Sequence, residues 1–95
     1  MSKATSLNIL DLERILVLAE AQSFTAAAKQ LGVSQPTITR SVLKIERLLG
    51  FKIFARKTSQ RVATTYKGVA MLNEMEKIIE SQNQLFSVAS NFTPE

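Results

Sequence analysis

One stretch limits what this chain can fold into more than any other: SFTAAAKQLGVSQPTITRSVLKIERLLG, from Ser23 to Gly50. A short Ala-rich run ends at Gly32, and glycine enters a left-handed turn at little cost. Just beyond, Ser34 offers a hydroxyl to cap a new helix. Pro36 falls in the first turn, where a missing N–H costs nothing. Ile38, Val42, Ile45 and Leu49 follow at spacings of four, three and four, which makes one buried stripe. Thr39, Arg40, Lys44 and Arg47 lie largely off that stripe, and Gly50 is the natural stop. The segment predicts two helices joined by a tight turn, the second with a polar and basic outer side. That geometry lets one helix brace against a duplex while the next enters a major groove.

The flanks extend the pattern. Asn8 is placed to cap a first helix, with Asp11 favouring the positive end of its dipole. Leu12, Ile15, Leu16, Leu18 and Ala19 form its core stripe, and Gln22 and Ser23 break it. The second helix runs from Phe24 to Leu31 with Ser23 or Thr25 as cap. Ala26, Ala27 and Ala28 allow close approach of a crossing helix, Phe24 and Leu31 anchor it, and Val33 plugs the turn. Phe51, Ile53 and Val62 then alternate with Lys52 and Arg61, which predicts two short strands around the loop Arg56–Gln60. Such a hairpin is a wing, and its basic tip reaches phosphates or a minor groove.

Thr64 or Thr65 caps a last helix reaching about Ala89. In it Leu72, Met75, Ile79, Gln82, Phe86 and Ala89 recur at heptad spacing, widened by Ile78 and Leu85. A helix this long outruns the domain before it. Its surplus stripe calls for a partner helix, most simply in a second copy of the chain. Packing on the first helix is the alternative. The expected fold is mainly α: a winged helix-turn-helix (three-helix core plus short β-hairpin wing) over 1–64, a long linker or dimerisation helix over 65–90, and a frayed tail over 91–95.

Composition narrows the function. With no Cys and no His among 95 residues, disulfides, thiolate metal sites and ordinary zinc or haem sites are not expected, and no cofactor is implied. The carboxylates Asp11, Glu13, Glu20, Glu46, Glu74, Glu76 and Glu80 all fall within predicted helices, with no base or nucleophile arrangement nearby. Gly32, Gly50 and Gly68 read as helix punctuation rather than a phosphate-cradling loop. Neither a catalytic site nor an enzyme is expected. No run approaches the roughly 20 apolar residues that cross a bilayer, and MSKATSLN lacks the apolar core of a secretion signal. The default expectation is a soluble cytoplasmic domain.

The net charge of +4 is unevenly spread. From Ser34 to Arg61 stand seven bases against one acid, Glu46, a local +6, while the remaining five bases and seven acids give −2. Concentrated positive charge raises the local density of a polyanion. At the start of the third helix, Gln35 has the donor and acceptor that pair with adenine, and a Thr there can touch a thymine methyl. Arg40 is placed to clamp a phosphate or read guanine, and Lys44 adds phosphate affinity. Thr25 offers its hydroxyl and the helix N–H groups to a phosphate, with plain capping as the equal alternative. Arg56, Lys57 and Arg61 are phosphate candidates on the wing, where solubility of an exposed hairpin is the other reading.

These residues resemble the N-terminal DNA-binding domain of LysR-type transcriptional regulators. The match runs through Ala19-Glu20, Ser23-Phe24-Thr25, Ala27-Ala28, Leu31, Val33-Ser34-Gln35-Pro36, Arg40, Ile45-Glu46, Leu48 or Leu49, Gly50 and Phe54. It resumes at Arg56, Val62, Thr65 and Gly68, and so spans about Leu10 to Gly68. The resemblance implies a bacterial regulator that binds promoter or operator DNA as a homodimer, or a higher homo-oligomer, joined by linker helices. It implies base contacts from Gln35, Pro36, Thr37 and Thr39. Backbone or minor-groove contacts would come from Thr25, Arg40 and Arg56, with Ser34 serving the turn and cap. The dimer seam expected from the heptad spacing runs through Leu72, Met75, Ile79, Gln82 and Phe86.

Departures from the family pattern are specific. Thr37 and Thr39 replace the commoner Ala and Ser, Leu43 stands where a polar residue is usual, and Phe51-Lys52 replaces Val-Pro. Lys67 replaces Ala, and the Phe54–Gly68 interval is one residue longer than usual. The family's effector domain of two α/β lobes is absent from this chain, so inducer sensing is not expected in these residues. A second class of function stays open: a winged-helix interaction module whose basic face docks an acidic protein. Membrane attachment through the last helix is disfavoured, because Glu74, Glu76 and Glu80 outweigh Lys67 and Lys77.

Overall fold

Capping chemistry sets where the helices begin. In the computed structural model, which describes residues 7–92, the order is α1 (Ile9–Ala21), α2 (Phe24–Leu31), α3 (Gln35–Leu49), β1 (Phe54–Arg56), β2 (Val62–Thr64) and α4 (Tyr66–Ala89). Asn8 Oδ1 accepts from Leu10 N at 2.8 Å, and Ser23 Oγ from Ala26 N at 3.1 Å. Ser34 Oγ accepts from Thr37 N at 3.3 Å, and Thr65 Oγ1 from Gly68 N at 3.0 Å. Each such cap stabilises a helix by about 1 kcal/mol. Of the open alternatives, Ser23 caps α2 and Thr65 caps α4. Gly32 and Gly50 end α2 and α3 in the left-handed region, at φ +68° and +91°. The end of α1 is closed the same way by Gln22, at φ +58°.

One core joins these elements. Leu12, Ile15 and Leu18 of α1 meet Phe24, Ala27 and Ala28 of α2 and Ile38, Val42 and Ile45 of α3. Ile53, Phe54 and Val62 close the hairpin side, and Met75 reaches in from α4. Two expected members of the stripes lie outside. Ala26 is exposed, on the outer side of α2, and Leu49 is 37% exposed at the end of α3.

The hairpin starts later than the sequence pattern implies. Its register pairs Phe54 with Thr64, Ala55 with Ala63 and Arg56 with Val62, so Phe51–Ile53 is a connecting turn rather than strand. The cause is the buried Glu46 carboxylate, whose Oε2 accepts from Ile53 N at 2.7 Å and Phe54 N at 3.2 Å. Those amides are satisfied by a charge on α3, not by a ladder.

On its far side, β2 is zipped to the α1–α2 turn. Phe24 N donates to Gln60 O at 2.8 Å and Val62 N to Gln22 O at 3.2 Å, around an antiparallel bridge between Ser23 and Arg61. The wing is therefore tied to the helical unit along one edge.

Gly68 is more than punctuation. It is buried in the first turn of α4, and a Cβ there would collide with the Ile53 carbonyl and come within 2.9 Å of Thr64 Cγ2. Thr65 N donates to the same carbonyl at 2.8 Å, and the Thr65 hydroxyl lies 2.7 Å from Lys52 O. Only a residue without a side chain lets α4 start against this turn.

The two halves of α4 differ in what covers them. Met75 is buried, and Met71, Leu72 and Ile79 pack on the core. Beyond them the helix runs free, leaving Leu85 64% and Phe86 65% exposed. Asn91 and Phe92 carry on as a hydrogen-bonded turn, through Asn91 N to Val88 O and Phe92 N to Ala89 O, both at 3.0 Å. The remainder of the expected tail, and residues 1–6 of the expected first domain, lie outside the described residues. Among the described residues no helix is long and apolar enough to cross a membrane.

Candidate nucleic-acid interface

Helix α3 divides its polar side chains between two tasks. At its start, Ser34 Oγ lies 2.8 Å from Thr37 Oγ1, and Arg40 Nη2 donates to the same Thr37 oxygen at 3.4 Å. Pro36 and Arg40 are exposed, while Gln35, Thr37 and Thr39 are half-buried. The first turns of α3 thus carry hydroxyls, an amide and a guanidinium.

Lys44, one turn further on, behaves differently. Its ammonium lies 3.1 Å from Asp11 Oδ2 on α1. Asp11 is buried, and its Oδ1 accepts from the Ser41 hydroxyl at 2.6 Å. Oδ2 takes no hydrogen bond of good geometry, so the charge of Lys44 is what compensates it. Arg14 joins the cluster, donating to Ser41 Oγ at 3.2 Å. Lys44, expected to add phosphate affinity, is thus paired with a buried carboxylate while its own side chain stays partly exposed.

Thr25 stands in the first turn of α2 and does not cap it, since Ser23 does. Its hydroxyl donates to Gln60 Oε1 at 2.6 Å and accepts from Gln35 Nε2 at 3.2 Å. Wing, second helix and third helix meet at this one oxygen. Arg56 stacks on Phe24 with its guanidinium carbon 4.6 Å from the ring centroid, and its Nη1 donates to Ser59 O at 2.7 Å. Lys57 and Arg61 are exposed and have no side-chain partner among the described residues.

Gln35, Thr25 and the wing are brought together, with Thr37 and Arg40 along the adjoining turn. Lys44 is drawn toward α1, and the seam residues of α4 lie on a separate element. Four residues with structural consequences were not assigned these roles from sequence: Asp11, Glu46, Gln60 and Gly68. Glu46 carries a signal, as the single acid in a basic segment. Nothing in the sequence distinguishes Gln60.

A three-helix unit whose second and third helices form a tight turn beside a β-hairpin defines the winged helix-turn-helix class. The description "Bacterial regulatory helix-turn-helix protein, lysR family" matches residues 9–69. The chain belongs to that family and carries its DNA-binding domain. It is similar to the hydrogen peroxide-inducible genes activator of Haemophilus influenzae, 34% identical over 85 residues. That match covers 90% of this chain and 28% of the activator, so the chain spans under a third of that relative. Among solved structures it is similar to a CbnR_DBD-DNA complex, with a TM-score of 0.84 and 30% identity over 90% of this chain and 97% of that one. It is similar too to a BenM_DBD/benA site 1 DNA complex, with a TM-score of 0.81 and 27% identity over 90% and 94%.

Proposed function

We propose that the domain binds double-stranded DNA sequence-specifically, as a homodimer acting at promoter or operator sites in the bacterial cytoplasm. The observation that carries this reading is at the start of α3: Gln35 bonds to Thr25, which bonds in turn to Gln60 of a tethered wing, and Pro36, Thr37 and Thr39 follow in the same two turns. In this reading α3 enters a major groove and those four residues meet base edges. Thr25, Ser34 and Arg40 hold the backbone, and Arg56, Lys57 and Arg61 follow it into the neighbouring minor groove. Lys44 is assigned to holding α3 on α1 through Asp11, and reaches a phosphate only by leaving that partner.

Residues 65–90 act as the dimerisation helix in the same proposal. The first half of α4 is spoken for by the core. The dimer therefore draws mainly on Gln82, Leu85, Phe86 and the exposed parts of Leu72 and Ile79, whereas Met75, expected in the seam, is taken up by the protomer's own core. A two-fold dimer places two recognition helices roughly 34 Å apart, or a multiple of that, and demands an inverted-repeat site.

Selection from a random duplex pool, followed by fluorescence anisotropy against random competitor at several salt concentrations, tests the reading. Enrichment of an inverted repeat is the expected outcome. Flat binding across sequences with a steep salt dependence would leave only a basic surface and favour docking of an acidic partner.

A further inference from the structure

Gln60 sits at the wing tip, yet its backbone is fixed from two sides. Its N–H donates to Thr58 Oγ1 at 3.3 Å, and its carbonyl accepts from Phe24 N at 2.8 Å. The side chain therefore starts from a defined point beside the first turn of α2. From there Oε1 takes the hydrogen of the Thr25 hydroxyl at 2.6 Å.

A threonine hydroxyl has one hydrogen to give. With that hydrogen spent on Gln60, Thr25 Oγ1 faces Gln35 only as an acceptor, and Gln35 Nε2 donates to it at 3.2 Å. The chain runs one way, from Gln35 through Thr25 to Gln60, and each link strengthens the next. Its effect falls on the orientation of the Gln35 amide. The nitrogen end is held toward Thr25, which leaves one N–H, together with an Oε1 that has no partner among the described residues. That donor and acceptor pair is the one that matches N7 and the N6 amino group of adenine. Without Gln60, the Thr25 hydroxyl is free to rotate and donate to Gln35 Oε1, which turns the amide over and consumes its acceptor.

We infer that Gln60 is a positioning residue for base readout: through Thr25 it sets the orientation of the Gln35 amide, and so the preference for adenine at the base pair that Gln35 meets. The inference rests on the proposed contact between Gln35 and a base edge.

The test uses the selected duplex and a version changed at the one base pair where Gln35→Ala loses discrimination. The ratio of the two Kd values is measured for the unmodified domain, Gln60→Leu, Gln60→Glu, Gln35→Ala and the Gln35→Ala/Gln60→Leu pair. Thermal melting is recorded for each. Gln60→Leu lowers the ratio by roughly fivefold or more while its Kd on random duplex stays within about twofold. Gln60→Glu still accepts from Thr25, so it keeps the ratio although its added negative charge weakens binding to every duplex. In the Gln35→Ala background, Gln60→Leu leaves the ratio unchanged.

Equal weakening of all duplexes by Gln60→Leu overturns the inference, as does loss of the ratio by Gln60→Glu, because either result makes Gln60 a support of the wing alone. Full discrimination retained by Gln35→Ala is a separate failure. It would remove the base contact itself, and this inference with it.

Discussion

The two ends of α3 share one periodicity and one run of polar side chains, yet they do opposite things. At the start, Ser34, Gln35, Thr37 and Arg40 hydrogen-bond to one another and to Thr25 while keeping an outer side open. Toward the end, Lys44 and Glu46 turn to the protein itself. One neutralises Asp11, and the other binds the two amides that begin the hairpin. The difference lies in what stands opposite. A buried carboxylate within reach claims the lysine, and two unpaired N–H groups claim the glutamate, since leaving either buried group unsatisfied costs more than keeping the side chain in water. A charge on α3 is thus free for a partner only where the fold has not already used it.

This contrast can be broken at either end. Glu46→Ala has the largest expected effect: with two buried N–H groups orphaned, stability falls by about 3 kcal/mol. That loss lowers the melting temperature by roughly 15 °C by calorimetry, and a drop under a few degrees would deny the carboxylate its role. Gln35→Ala acts at the other end. It costs about 1–3 kcal/mol of discrimination at one base pair and leaves the melting curve in place, as anisotropy and calorimetry on the same preparation would show. Ser34→Ala removes the cap between the two helices and costs about 1 kcal/mol of stability, read from the urea midpoint. Asp11→Asn has the smallest expected effect on DNA binding. Ser41 keeps an acceptor, the buried charge that held Lys44 is gone, and the freed ammonium steepens the salt dependence of DNA binding by up to about one unit. An unchanged slope would mean that Lys44 does not reach DNA even when released.

Much of the fold was legible because it rests on local chemistry. Asn8, Ser34, Gly32, Gly50 and the stripe Ile38, Val42 and Ile45 announce helix starts, stops and faces within a few residues of themselves. What escaped depends on residues far apart in sequence. Nothing near Gly68 reports that the Ile53 carbonyl will press against it, and nothing near Lys44 reports that Asp11 will be buried across from it. The hairpin was placed too early for the same reason, since its first amides belong to Glu46 on another element. In the candidate site, Gln35 and Thr25 were visible through their places at two helix starts. Gln60 was not, because a glutamine in a polar loop acquires meaning only when the wing is folded against Ser23 and Phe24.

A crystal structure of the domain on its selected duplex tests the central claim most directly, that the start of α3 reads bases while its end holds the fold. The account predicts the Gln35 amide within about 3 Å of a base edge, with Lys44 still on Asp11 and Glu46 still on the hairpin amides. A complex in which Leu43 and Arg47 lie nearest the bases, with Gln35 turned away from the groove, would contradict it.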